Sequence, residues 1–233
     1  MVESLSEKPR RHKVLSYVNS LKNPKADFFV VGFSGSKGMK ADHGIMGLTT
    51  DYSLRGALMS TVVVKGAKVP KRGETHKFVL GVDGSERSKL AADRICSLAA
   101  SGDVVVFLHV FSSSSEGDIG DRFREPAVRA FFKEYASTDE RCQYVGLDCS
   151  GDGKNTLADS LVSWAEDNEA SFVAVGADGV GSYSAGKKET ALGSFSDRVV
   201  KCAQVSVVVV QNRDAVYGES TSEETSAGRA AHK

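Results

Sequence analysis

The chain carries one pattern twice. Ala26–Gly35 reads ADFFVVGFSG and Ala170–Gly179 reads ASFVAVGADG, an apolar run ending in Gly-x-x-Gly both times. Each copy resumes after a loop, as GLTTDYSLRGALMSTVVVK over Gly47–Lys65 and GSFSDRVVKCAQVSVVVVQ over Gly193–Gln211. The turn glycine recurs, as do Asp51 and Asp197 four residues beyond it and the closing valines. A helical pattern precedes each copy, over Lys13–Leu21 and Leu157–Asn168. Such self-similarity marks a duplicated supersecondary unit, read here as helix, strand, glycine loop, helix, strand.

The second copy has material ahead of it that the first lacks. Lys77–Asp83 (KFVLGVD) reads as a strand, and Ser85–Ala100 as an amphipathic helix with Ser85 as its N-cap. Asp103–Val110 (DVVVFLHV) is a second strand, Ser112–Ser115 opens a loop, and Pro126–Ala136 is helical with proline near its start. Cys142–Leu147 is a third strand. Unbroken apolar runs such as Val205–Val210 suit central parallel strands buried on both faces. Strands alternating with helices predict an α/β fold with right-handed crossovers. The expected architecture is a doubly wound open parallel five-stranded sheet, order 3-2-1-4-5, flanked by helices over residues 77–211. An N-terminal helix-strand-helix-strand half-domain precedes it over residues 1–65. Residues 66–76 (GAKVPKRGETH) have linker composition, and residues 212–233, rich in Ser, Thr, Glu and Ala, are expected to be disordered.

Composition narrows the task. Thirty basic and thirty acidic residues balance, so a broad nucleic-acid or anionic-lipid face is not expected. No apolar run is long enough to span a bilayer, and no apolar segment follows the charged N-terminus as in a secretory signal. Cys96, Cys142, Cys149 and Cys202 show neither C-x-x-C spacing nor a disulfide framework. They read as free thiols in a reducing cytoplasm rather than as metal ligands.

Three places meet in such a sheet. Asp83 and Ser85 follow its first strand, Gly176 and Gly179 follow its fourth, and Gly193 and Ser194 open the next helix. Strand order reverses between the first and fourth strands, and ligands bind in the crevice outside their carboxyl ends. Glycines there admit a close backbone, and a helix starting at Gly193 offers unpaired N–H groups to phosphate. Each feature also has a local reading. Asp83 can cap the following turn, and the glycines can serve tight turns without a ligand.

These residues resemble the universal stress protein family. The strand ending VLGVDGS (Val79–Ser85), Leu-His-Val at Leu108–Val110, and Gly176-x2-Gly179-x13-Gly193-Ser194 before a closing valine strand carry the resemblance. It spans residues 77–211, and residues 11–65 resemble the second half of another such domain. The resemblance implies ATP or AMP as ligand, with Mg2+ a candidate companion ion. Asp83 and Val110 would meet adenine, Gly176 and Gly179 ribose and phosphate, and Gly193, Ser194 and Phe195 phosphate. The glycine loop is four residues longer than the family pattern, with Ser182, Tyr183, Lys187 and Lys188 on the added length.

The first copy lacks a preceding Asp-x-Ser strand, and Leu48 stands where Ser194 stands, so it is not expected to make a site alone. Gly181–Lys188 approaches a phosphate-binding G-x4-G-K-[ST] loop but lacks its hydroxyl. His109, inside an apolar strand, reads as a satisfied core residue. No catalytic set or metal cluster emerges from the spacing.

Family members pair their last strands edge to edge. Thr61–Val64 is therefore expected beside Val207–Val210, a pseudo-dimer within one chain, with a homodimer through the same strand as the other form. The linker reaches about 35 Å when extended, which permits the pairing. The expected function is a stress-response regulator that binds adenine nucleotide and at most hydrolyses it slowly. A nucleotide-free scaffold of the same fold is the alternative.

Overall fold

A computed structural model describes residue 16 and residues 27–34, 46–56, 59–66, 73–113, 123–150, 156–178 and 192–211. The helix expected over Lys13–Leu21, the tail 212–233 and the added loop length, Gly179 included, lie outside these apart from Ser16. The chain runs β1 (Phe28–Gly32), α1 (Leu48–Gly56), β2 (Ser60–Val64), β3 (Lys77–Gly81), α2 (Glu86–Leu98) and β4 (Val104–Phe111). It continues α3 (Glu125–Ser137), β5 (Cys142–Asp148), α4 (Leu157–Asp167), β6 (Phe172–Gly176), α5 (Ser194–Cys202) and β7 (Ser206–Val210).

The starts of α2 and α4 follow from their caps. Ser85 accepts from the Ser88 backbone N–H, and Thr156 and Asp159 form a reciprocal capping box. The α3 helix has proline in its first turn, where a missing N–H costs nothing.

All strands among the described residues join one seven-stranded sheet, order β1-β2-β7-β6-β3-β4-β5. The β3–β7 strands keep the expected order, third-second-first-fourth-fifth, but the sheet does not stop at five. β7 would be a bare apolar edge, and β2 satisfies its backbone groups by lying antiparallel to it, with Val62 opposite Val208. Every other neighbouring pair is parallel. Last strand thus meets last strand within one chain, and β1 extends the sheet one place further.

The duplication is reproduced bond for bond. Gly32 pairs with Val64 in register as Gly176 pairs with Val210. Thr50 Oγ1 donates to the Gly32 carbonyl at 2.7 Å, and Ser196 Oγ to the Gly176 carbonyl at 2.6 Å. Gly47 N–H donates to the Phe33 carbonyl and Gly193 N–H to the Ala177 carbonyl, each at 2.8 Å. Across the β2–β7 seam, Gln211 N–H donates to Ser60 Oγ and Lys65 N–H to Ser206 Oγ, each at 3.2 Å. The two copies are therefore related by a pseudo-twofold axis through that seam.

Helices cover both faces. One core gathers Leu54 of α1, Leu161 of α4 and Val199 of α5 over Val63, Val79, Val106, Val173 and Val207. The other packs Ala91 and Ile95 of α2 and Val128 and Phe132 of α3 against Phe78, Leu80, Phe107 and Val208. Fully buried side chains of this size each contribute about 1.5–3 kcal/mol. The first core runs unbroken across the β2–β7 seam, so the N-terminal strands share it.

Candidate functional site

The sheet's order reverses beside β3, which lies between β4 and β6, and the candidate residues gather at that end. After β3, Gly84 adopts φ +78°, a left-handed conformation that glycine accepts without strain. Asp83 Oδ1 accepts from Ser85 N–H at 3.0 Å and from Ser85 Oγ at 2.6 Å. Ser85 Oγ accepts in turn from Ser88 N–H at 3.2 Å. Asp83 and Ser85 thus shape the turn that starts α2, whatever else they do.

Across the switch point, Gly176 ends β6. A Cβ there would stand 3.0 Å from the Asp178 carbonyl oxygen, so the backbone folds back over a position with no room for a side chain. Gly193 is the N-cap of α5 and has no side-chain cap. The first-turn N–H groups of a helix have no intrahelical acceptor, and here no side chain of the cap residue supplies one. A Cβ on Gly193 would lie 3.4 Å from Asp178 Cα, an ordinary contact. Ser194 is exposed, whereas Phe195 turns its ring onto the core and offers the crevice only its backbone.

Two residues that sequence reasoning passed over stand between these walls. Arg87, in the first turn of α2, forms an ion pair with Asp178, whose side chain is only 6% exposed. Arg87 Cβ lies 4.0 Å from where a Cβ of Gly176 would be, and Asp178 stands beside Gly193. Among the described residues the crevice therefore holds, beside the Asp83 carboxylate, a guanidinium and a carboxylate already paired and largely removed from water. Asp178 fills the position before the second glycine of Gly-x-x-Gly, and Arg87 follows Ser85 by two. Two opposite charges flanking the glycine motifs were the available signal.

Val110 lies at the end of β4, partly buried against the first core and one strand away from β3. His109 is buried, with Nδ1 3.4 Å from the Tyr144 hydroxyl, which fits the core reading. Burial lowers its pKa, against smaller opposing effects of the Asp83 and Glu125 carboxylates. Gly179 and the lysines at 187 and 188 lie outside the described residues. In the first copy Phe33 occupies the place of Ala177 under the Lys65 ammonium, 4.0 Å from its ring centre, and Leu48 is exposed. Among the described strands none flanks β1 on its far side, so the second wall of a switch-point crevice is not formed there.

Among the described residues no helix is long and apolar enough to cross a membrane. The geometry defines a doubly wound α/β protein with a crevice at its switch point. Comparison narrows the class. Residues 74–211 match the model of the universal stress protein family. The chain belongs to that family.

Solved structures agree on the fold. A universal stress protein from Archaeoglobus fulgidus superposes with a TM-score of 0.62 at 15% identity, covering 87% of this chain and 66% of its own. A Pseudomonas aeruginosa structure from the same family gives 0.59 at 16%, covering 91% of this chain and 72% of its own. A functionally unknown protein from Pseudomonas aeruginosa PAO1 gives 0.58 at 16%, covering 91% and 71%. No curated protein matches the chain in sequence.

Proposed function

We propose that this protein is a stress-response regulator that binds an adenine nucleotide, ATP or AMP, in the crevice between β3 and β6. The observation that carries the reading is the uncapped N-terminus of α5 opening onto Gly176 and Arg87. Backbone N–H groups, a helix dipole and a guanidinium converge where a polyphosphate would lie. In this reading Gly193, Ser194 and Phe195 present backbone donors, and Arg87 exchanges its Asp178 partner for phosphate oxygens. Asp83 and Val110 border the base. The free cysteines fit a cytoplasmic setting. β2 takes on β7 the place that a second chain would otherwise take, which favours the intrachain pseudo-dimer over a homodimer through that strand.

A scaffold without nucleotide is the second reading, and the Arg87–Asp178 pair favours it. Asp178 already neutralises the one described cation seen facing the glycines. Calorimetric titration of ATP with Mg2+ into nucleotide-free protein, beside Gly193→Asp, separates the two. Aspartate is a good N-cap, so the variant keeps α5 while placing a carboxylate where phosphate would sit. Saturable binding lost in the variant supports the nucleotide reading. A folded wild-type protein that gives no heat of binding refutes it.

A further inference from the structure

At the opposite end of the sheet from the crevice, the cysteines Cys96 and Cys142 face each other. Cys96 lies near the end of α2 and Cys142 opens β5, and their sulfurs are 3.4 Å apart. A carboxylate oxygen of Asp139, in the turn just before β5, completes a group whose ligand atoms all lie within 4.8 Å of one another. That turn is fixed by the Cys142 N–H donating to the Asp139 carbonyl at 2.9 Å. We propose that Cys96, Cys142 and Asp139 bind a thiophilic d10 dication of the zinc class, joining α2 to the start of β5.

Geometry, charge and surroundings support the assignment. Two sulfurs about 2.3 Å from a tetrahedral ion stand about 3.8 Å apart, so the pair needs to spread by only a few tenths of an ångström. Cys142 is buried while Cys96 and Asp139 are partly exposed, which leaves an approach for the ion and a fourth position for water. Two thiolates, one carboxylate and a dication sum to one negative charge, which Arg141 balances. Arg141 holds both carboxylate oxygens of Asp139, at 3.0 and 2.6 Å, in the manner of a residue that orients a ligand from behind. Arg141 also donates to the Cys96 and Ala99 carbonyls at the end of α2, at 3.2 and 2.6 Å, and so ties both sides of the site together.

Tyr135 of α3 faces Cys96 as well, with its hydroxyl donating to Asp93 at 2.7 Å. Metal binding to thiol ligands releases their protons, so affinity rises with pH.

The test uses the reduced full-length chain, stripped with a chelator and titrated with Zn2+ against a chromophoric competitor. A parallel titration with Cd2+ reads the thiolate charge-transfer band. One equivalent bound, the band present, and both lost in Cys96→Ser is the expected result, with a Cys149→Ser/Cys202→Ser double variant unchanged. Asp139→Asn is expected to weaken binding about 10- to 100-fold. Circular dichroism establishes that each variant is folded. No uptake by folded wild-type protein overturns the proposal, as does equal uptake by Cys96→Ser. Closure of the two thiols into a disulfide in metal-bearing buffer overturns it too.

Discussion

Leu54 tests whether the N-terminal strands are part of one cooperative body. It is fully buried on α1 and belongs to the core cluster that also holds Val63, Val199, Val207 and Val209. Truncation to alanine removes buried carbon from a wall of β-branched side chains, whose restricted rotamers limit collapse into the space. Leu→Ala changes at such sites cost 2–5 kcal/mol, and limited collapse puts Leu54→Ala at about 4. At a urea slope of about 2 kcal/mol/M, the midpoint falls by about 2 M.

The assay is the fluorescence of Trp164, the chain's one tryptophan, which sits on α4 and packs against the same cluster. Trp164 reports on the part of the fold that does not contain Leu54. If the seam across β2 and β7 is as continuous as the core indicates, the Trp164 transition moves with the mutation. A midpoint within about 0.3 M of wild type, in protein whose far-ultraviolet signal shows an earlier partial loss, would refute the one-body reasoning.

Other consequences can be checked directly. Arg87→Met leaves the Asp178 carboxylate buried without its partner and is expected to cost about 3 kcal/mol, most of it returned by adding Asp178→Asn, as read from urea midpoints. Hydrogen bonds from Arg141, from Ser150 and Ser113, and from Arg198 and Thr156 hold Asp139, Asp148 and Asp159 respectively at about 2, below the usual 3.8. Their folded pKa values are depressed, so the stability they lend is complete above the unfolded value and lost as pH falls from about 4 through 2. Melting temperature should drop across that window, and the drop should be shallower in Asp139→Asn/Asp159→Asn; an unchanged slope would refute the attribution.

Much of the fold was written locally. The two Gly-x-x-Gly copies, the valine runs and the Ser85 cap act over a few residues, and each element of residues 77–211 stands within a few residues of its expected place. Local patterning determines strands and helices because hydrophobic period, caps and turn glycines act on near neighbours. The β2–β7 pairing was expected from the family resemblance, and an apolar closing strand that needs a partner for its edge agrees with it.

What the chain could not announce was the register of distant side chains. Arg87 meets Asp178 only because β3 and β6 become neighbours and α2 starts over their ends. Cys96 lies far along the chain from Asp139 and Cys142, and the three converge because α2 and the turn before β5 meet at the far end of the sheet. The sheet extends from the five strands of residues 77–211 to seven because β2 pairs with β7 as expected and β1 lies beyond it. Sequence determined the elements through local physical chemistry; tertiary packing alone decided which charges and thiols face one another, because those contacts depend on sheet order and register.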